Sequence, residues 1–201
     1  MTLRIIILTV FASVICFYNR DMLSKLIFNP WMVSERKQWY RMITSGFIHA
    51  DWLHLGLNML VFFSFGLAVE RYYEMIFGVK GTYYFVMLYV AAIIFSITPS
   101  YVKHKHDYNY NALGASGAVA AVLFTAILFN PLAPVYLFGI IKLPGILVGV
   151  GYLFYEYRAG KQGGTNINHD AHFWGALFGV AYTILIHPPV VIHFFNQLTN
   201  F

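Results

Sequence analysis

Long apolar runs separated by short polar segments divide the chain into six stretches, at about residues 3–19, 52–70, 81–99, 113–130, 143–158 and 171–187. A helix needs about 20 mostly apolar residues to cross a bilayer, within a range of roughly 17 to 25. Each stretch therefore predicts one transmembrane helix, the fifth being the shortest and the first lying between Arg4 and Arg20. The expected fold class is an all-α membrane protein with six transmembrane helices in a single domain over 1–201. The connections differ in character. Arg20 to Asp51 is long, amphipathic and rich in aromatics and mixed charge, which predicts a first loop folded at the membrane interface. The 99–112 segment is polar, 131–142 carries Pro131, Pro134 and Lys142, and 159–169 is rich in Gly, Asn and Lys, so this last loop is expected to be the most mobile. Neither a long-period repeat nor a low-complexity tract interrupts this pattern.

Composition agrees with lipid as the main solvent. Hydrophobic residues make up 59% of the chain and charged residues 10%, where a soluble domain carries about a quarter charged residues. Aromatic residues reach 19% and cluster near the ends of the apolar stretches, as interfacial anchors do. The net charge of +5 is scattered between apolar segments with no basic run or aromatic RNA-binding motif, which excludes nucleic acid as a partner. A single cysteine, Cys16, excludes an internal disulfide framework and a cysteine metal cluster. Residues Ile5–Tyr18 after Arg4 have the length of a signal-peptide core, but no small-x-small site follows and Ile15 precedes Cys16, so the stretch reads as the first spanning helix.

Polar groups inside a bilayer are costly and usually face the interior of a bundle. Successive spanning helices alternate direction, so the second, fourth and sixth all enter from one side. Their first turns carry His54 and Asn58, Ser116, and His172. Order alone thus places these four residues in one shallow layer. His54 and Asn58 are one turn apart on one helix face, and both can offer hydrogen-bond donors. Ser116 lies in Gly114-Ala115-Ser116-Gly117, where small neighbours permit close approach and a helix N-terminus supplies unpaired N–H groups. His172, Gly175 and Gly179 share one stripe, and small residues at such spacing let membrane helices touch backbone to backbone. Helix six should then lie tight against helix four at Gly114, Gly117 and Ala118, with His172 within reach of Ser116. A serine is a weak nucleophile until a base takes its proton.

Four motifs follow in order: His49 with His54 and Asn58, Gly66-x-x-x-Glu70-Arg71, Gly114-Ala115-Ser116-Gly117, and Ala171-His172-x-x-Gly175-x-x-x-Gly179. In this combination, from about Tyr40 to Ile186, the chain resembles the rhomboid family of intramembrane serine proteases. The resemblance implies a six-transmembrane-helix rhomboid-like bundle with a long interfacial first loop. It implies a serine endopeptidase with a Ser–His dyad and no third acidic member, acting on single-pass or polytopic membrane proteins in or beside their transmembrane segments. Carried over residue by residue, Ser116 is the nucleophile, His172 the base, and His54, Asn58 and the Ser116 backbone N–H the oxyanion hole. No cofactor or metal is implied. The loop before helix six, here 159–169, is expected to act as a cap, and helix five, here 143–158, to admit substrate sideways with it.

Three departures stand out. Ala120 occupies a position where many members carry an aromatic that packs on the histidine, so another ring must orient His172. Tyr40-Arg41 stands where Trp-Arg is usual, and the stretch Tyr72–Phe77 before Gly78 is longer than in some members. The family topology puts the active site on the extracytoplasmic side, with Arg4, Arg71, Lys80 and Lys142 inside and the nine other Lys and Arg residues outside. The positive-inside rule favours the reverse; five of the nine, however, lie in the interfacial first loop. A compact chain of this kind suggests an integral, multi-pass protein of a prokaryotic plasma membrane.

The remaining polar residues have plainer readings. His49 is expected to brace the first loop or the oxyanion side. Asp170 is two residues from His172, on another helix face, and reads as a solvated charge. His104 and His106 lack the carboxylates or cysteines that would complete a metal site. His169, His187 and His193 read as interfacial, and Glu70 with Arg71 as a structural pair. Two other classes are weighed beside the protease. A catalytically silent rhomboid-like binding protein would typically lack the serine or histidine, and only Ala120 leaves room for it. A small transporter would need a polar path across the membrane and paired broken helices, and neither is present in the sequence.

Overall fold

The computed structural model describes residues 1–137, 140–162 and 167–199 of the 201-residue chain. Helix α1 spans Thr2–Tyr18. The first connection folds into three short helices, α2 (Arg20–Leu26), α3 (Pro30–Arg36) and α4 (Arg41–Thr44), with a 3₁₀ turn over Ser45–Phe47. Asn19 and Asn29 cap α2 and α3, each accepting from a backbone N–H through its side chain, and Arg41 holds the segment together from inside. Its buried guanidinium donates to the carbonyls of Ser24 and Ile27 at 2.7 and 2.8 Å and to the Gln38 side chain at 2.6 Å. The expected folded first loop is thus present.

The central helices follow. Helix α5 runs over Trp52–Phe77, α6 over Gly81–His104, α7 over Ser116–Phe129, α8 over Gly145–Gln162, α9 over His169–Ile186 and α10 over Val190–Thr199. Phe62 of α5 packs on Phe85 and Tyr89 of α6, and Phe77 on Tyr84, so α6 folds back along α5 after the Gly78–Lys80 turn. Helix α7 is the core of the bundle, with every residue from Gly117 to Phe129 buried and α5, α6 and α9 around it. By length and composition, the run Trp52–His104 is apolar enough to cross a membrane. Helices α9 and α10 reach that standard together, bent by 111°, while α1 and α7 are apolar but only 17 and 14 residues long.

Several boundaries differ from the expected ones, for local reasons. Helix α5 continues past residue 70 to Phe77 and stops where Gly78 adopts φ +58; the extra stretch Tyr72–Phe77 is one more helical turn and a half, not part of a loop. Helix α6 runs through Pro99, a residue that removes one N–H donor without ending the helix. The fourth helix begins at Ser116 rather than 113, because Gly114 has φ +117, a conformation no helix contains. Segment 131–142 contains a two-stranded antiparallel hairpin, β1 (Pro134–Leu137) with β2 (Ile141–Pro144), paired Pro134 to Pro144 through Leu137 to Ile141. This departs from a purely helical chain. Pro144 disfavours helical backbone at Leu143, so α8 starts only at Gly145. Of the loop expected at 159–169, residues 159–162 form the last turn of α8, and 163–166 lie outside the described residues.

Candidate active site

The approach to Ser116 is fixed by the first connection. The Gly114 N–H donates to the Ser45 carbonyl at 2.9 Å. The Ala115 N–H points at His49 Nε2 at 3.4 Å, and the other nitrogen of that ring is 3.0 Å from Ser13 Oγ of α1. His49 is fully buried. Burial, and then the neighbouring His54, push its pKa down to about 3, so it stays a neutral brace between α1 and the turn before Ser116.

His172 reaches the serine from α9. Asn168 caps that helix by accepting from the Ala171 N–H at 3.1 Å, which sets His172 in the first turn. The glycine stripe then closes the distance. A Cβ on Gly175 would drive into the Gly117 carbonyl, and one on Gly179 into the Ala121 carbonyl. Backbones therefore meet directly along α7 and α9, as the spacing predicts. His172 Nε2 lies 2.7 Å from Ser116 Oγ.

A carboxylate stands behind the imidazole. His172 Nδ1 is 3.0 Å from Glu156 Oε1, and His169 Nδ1 is 2.6 Å from Glu156 Oε2. A carboxylate only accepts, so Nδ1 of each ring carries the hydrogen and Nε2 of His172 is left free to accept from the serine hydroxyl. Glu156 and His169 are both buried. Glu156, His169 and His172 offer ligand atoms within 4.8 Å of one another, a spacing that a metal ion could use. Hydrogen bonds from both imidazoles to the one carboxylate account for that spacing without an ion. Tyr152, one turn before Glu156 on α8, lays its ring nearly parallel to His172, at 22° and 6.4 Å between centroids. The aromatic that position 120 does not supply comes from α8, which packs Tyr152 beside Ala120 and Phe124.

Sequence reasoning missed this carboxylate. It placed the site in the entry turns of the second, fourth and sixth helices, and Glu156 sits near the far end of the fifth. The signal was available: an ionisable residue inside an apolar helix is a functional candidate in its own right, and Tyr152 and Glu156 share a face at i and i+4. His169, read as interfacial, is instead buried against Glu156. Asp170 pairs with Lys103 at 3.5 Å and is partly exposed, in keeping with its reading as a surface charge.

His54 lies against Gly114, two residues before Ser116. A Cβ there would meet His54 Cε1 at 2.6 Å and Nε2 at 2.8 Å, so glycine is required by space as well as by φ. The Asp51 side chain accepts from the His54 N–H at 2.8 Å and fixes the start of α5. Asn58 is buried and donates one amide hydrogen to the His54 carbonyl at 2.9 Å, leaving its second for another acceptor. The Ser116 N–H is the first of α7 and has no partner within that helix. A cavity of about 20 Å³ opens beside Ser116, lined by Gly46, Ser96, Gly117 and Asn168 among others, room for about one water molecule.

Other polar residues are employed elsewhere. Glu70 is buried and accepts from the Thr2 N–H and hydroxyl at 2.8 Å and from the Met1 ammonium, not from Arg71. His104 stacks on Tyr110 at 3.8 Å. His193 bonds the Phe129 carbonyl at 2.9 Å, which joins α10 to the end of α7.

The model of the Rhomboid domain matches residues 36–189. The chain belongs to the rhomboid family. Relatives include RHOMBOID-like protein 12, mitochondrial, of Arabidopsis thaliana, 27% identical over 171 residues that make up 76% of this chain and 49% of that one. Rhomboid-like protein 11, chloroplastic, of the same plant is 27% identical over 161 residues, 74% of this chain and 52% of the relative. Presenilin-associated rhomboid-like protein A, mitochondrial, of Danio rerio is 30% identical over 171 residues, 79% and 42%. This rhomboid chain thus spans about half the length of the curated relatives it matches. Their names also overturn the expectation of a prokaryotic plasma membrane: these relatives are mitochondrial or chloroplastic and point to eukaryotic organellar membranes.

Proposed function

We propose that this rhomboid is an intramembrane serine endopeptidase, built as a six-span bundle around α7, that cuts membrane proteins in or next to their transmembrane segments. The observation that carries the reading is the 2.7 Å approach of His172 Nε2 to Ser116 Oγ, with the opposite ring nitrogen already spent on an acceptor. A serine so placed has its proton acceptor in position before substrate arrives.

In the reaction, Ser116 Oγ attacks the substrate carbonyl while its proton passes to His172 Nε2. Negative charge develops on the carbonyl oxygen. The Ser116 N–H, the second amide hydrogen of Asn58 and the His54 ring are the donors assigned to it in this reading, and donors of this kind act chiefly on the transition state. His172 then returns the proton to the leaving amine, leaving an acyl-serine. Water, deprotonated by the same imidazole, releases the acid product and restores the hydroxyl. No metal or cofactor enters these steps.

Treating the solubilised protein with a fluorophosphonate probe tests the reading. The expected result is one adduct, on Ser116, absent from Ser116→Ala and from His172→Ala, both of which also lose cleavage of a transmembrane substrate. A folded wild-type protein that takes no label would favour the silent binding protein. The chief sequence argument for that alternative was the small residue at Ala120, and Tyr152 weakens it by covering His172 from α8.

A further inference from the structure

Helix α8 has 18 residues, of which only Gly145, Gly149 and Glu156 are buried. Two of the three are glycines, so the one sizeable buried side chain on that helix is a carboxylate. It is itself buried. Both oxygens are taken by imidazoles of α9, His169 at 2.6 Å and His172 at 3.0 Å. A buried carboxylate is costly unless its oxygens are satisfied, and apolar residues would hold α8 to α9 more cheaply. The residue therefore does something a leucine would not.

We infer that Glu156 is a positioning residue for His172, so that this chain works with a Ser116–His172–Glu156 relay rather than an isolated dyad. The inference rests on the protease reading above. Glu156 does not touch the reacting atoms. It fixes the Nδ1–H tautomer, turns Nε2 toward Ser116, and stabilises the imidazolium that forms when the serine gives up its proton. His169 holds the second oxygen and keeps the carboxylate from rotating away. The other titratable groups around His172 are His54 from α5, Tyr152 from α8, and Asp170, which is paired with Lys103 of α6. Of the acidic groups, Glu156 alone bonds the imidazole among the described residues.

The role has two signatures. Without the carboxylate, the imidazolium formed in the reaction loses its hydrogen-bonded counter-charge, so the acid limb of the rate profile moves to lower pH. The rate on the plateau also falls, because the neutral tautomer is no longer fixed; the corresponding acid-to-amide change in the Ser–His–Asp template costs about 10⁴-fold. The experiment measures fluorophosphonate labelling and substrate cleavage against pH for wild type, Glu156→Gln, Glu156→Asp and Ser116→Ala. Glu156→Gln preserves size and one of the two acceptors while turning the other into a donor and removing the charge, so α8 has the best chance of staying docked. The expected result is a plateau about 10²-fold or more below wild type in Glu156→Gln, a midpoint shifted to lower pH, and partial recovery of both in Glu156→Asp. Wild-type rate and midpoint in folded Glu156→Gln would overturn the inference and leave the dyad standing. A slowed rate with an unmoved midpoint would also overturn it, since that pattern describes an anchor for α8 and nothing more. Failure of wild type itself to label would instead defeat the protease reading, which separates the two.

Discussion

Helices α8 and α9 both lean on α7, and they do so in opposite ways. Helix α9 meets α7 backbone to backbone, with Gly175 and Gly179 seated on the carbonyls of Gly117 and Ala121. Near its far end the same contact is hydrogen-bonded. Thr125 Oγ1 lies 3.1 Å from the Gly179 carbonyl and from Thr183 Oγ1, and Tyr73 of α5 reaches Thr183 at 2.7 Å. Helix α8 has no such contact: its carbons are largely exposed, and Glu156 with Tyr152 makes its connection to the site. Ser116 and His172 thus sit on a pair of helices that cannot approach more closely, while Glu156 and Tyr152, which contact the His172 ring, sit on a helix with few buried side chains. Distance is set by the rigid pair and orientation by the looser one.

The strongest way to break this comparison is to widen the rigid pair. Gly175→Leu should abolish cleavage, because the added side chain has only the Gly117 backbone to meet, and overpacking typically costs about 1–3 kcal/mol or more. Loss of labelling at Ser116, together with a lowered thermal midpoint in detergent, would check it. A milder cut at the far end of the same contact is Thr183→Val. It leaves the buried Tyr73 hydroxyl short of a partner and should destabilise by about 1–3 kcal/mol, while the labelling rate at saturating probe stays near wild type in the folded fraction. The smallest effect belongs to the loose helix. Leu147 of α8 is 59% exposed, and Leu147→Ala should change stability by no more than about 0.5 kcal/mol. A cost comparable to that of Thr183→Val in matched unfolding measurements would mean that α8 is docked as firmly as α9.

Much of this arrangement is legible in the sequence. Alternation of helix direction and the i, i+3, i+7 glycine stripe placed Ser116 and His172 together, since close backbone approach depends on residue size alone. Glu156 is the exception, because the other site residues lie at helix entries and this carboxylate lies near a helix exit, where the same membrane side is reached from the other direction. The hairpin at 134–144 escaped for another reason. Its prolines signal only that a helix stops, and nothing local says that the two extended segments will pair. The limits of α6 and α5 were misjudged by the charged and polar residues at 103–104 and 70–71, which a helix tolerates readily once its inner face is packed.

The thin attachment of α8 also has a statistical meaning. A segment with few buried side chains opens at lower free energy than the body it rests on, so undocking of α8 is expected to cost less than parting α7 from α9. With Glu156 orienting His172 as inferred above, the fraction of molecules with a fully oriented imidazole follows the docked fraction of α8, and every 1.4 kcal/mol gained or lost in docking alters the docked-to-undocked ratio about tenfold. Lipid thickness, a bound substrate helix or a mutation on the outer face of α8 would all act on the rate through that single ratio, without touching Ser116.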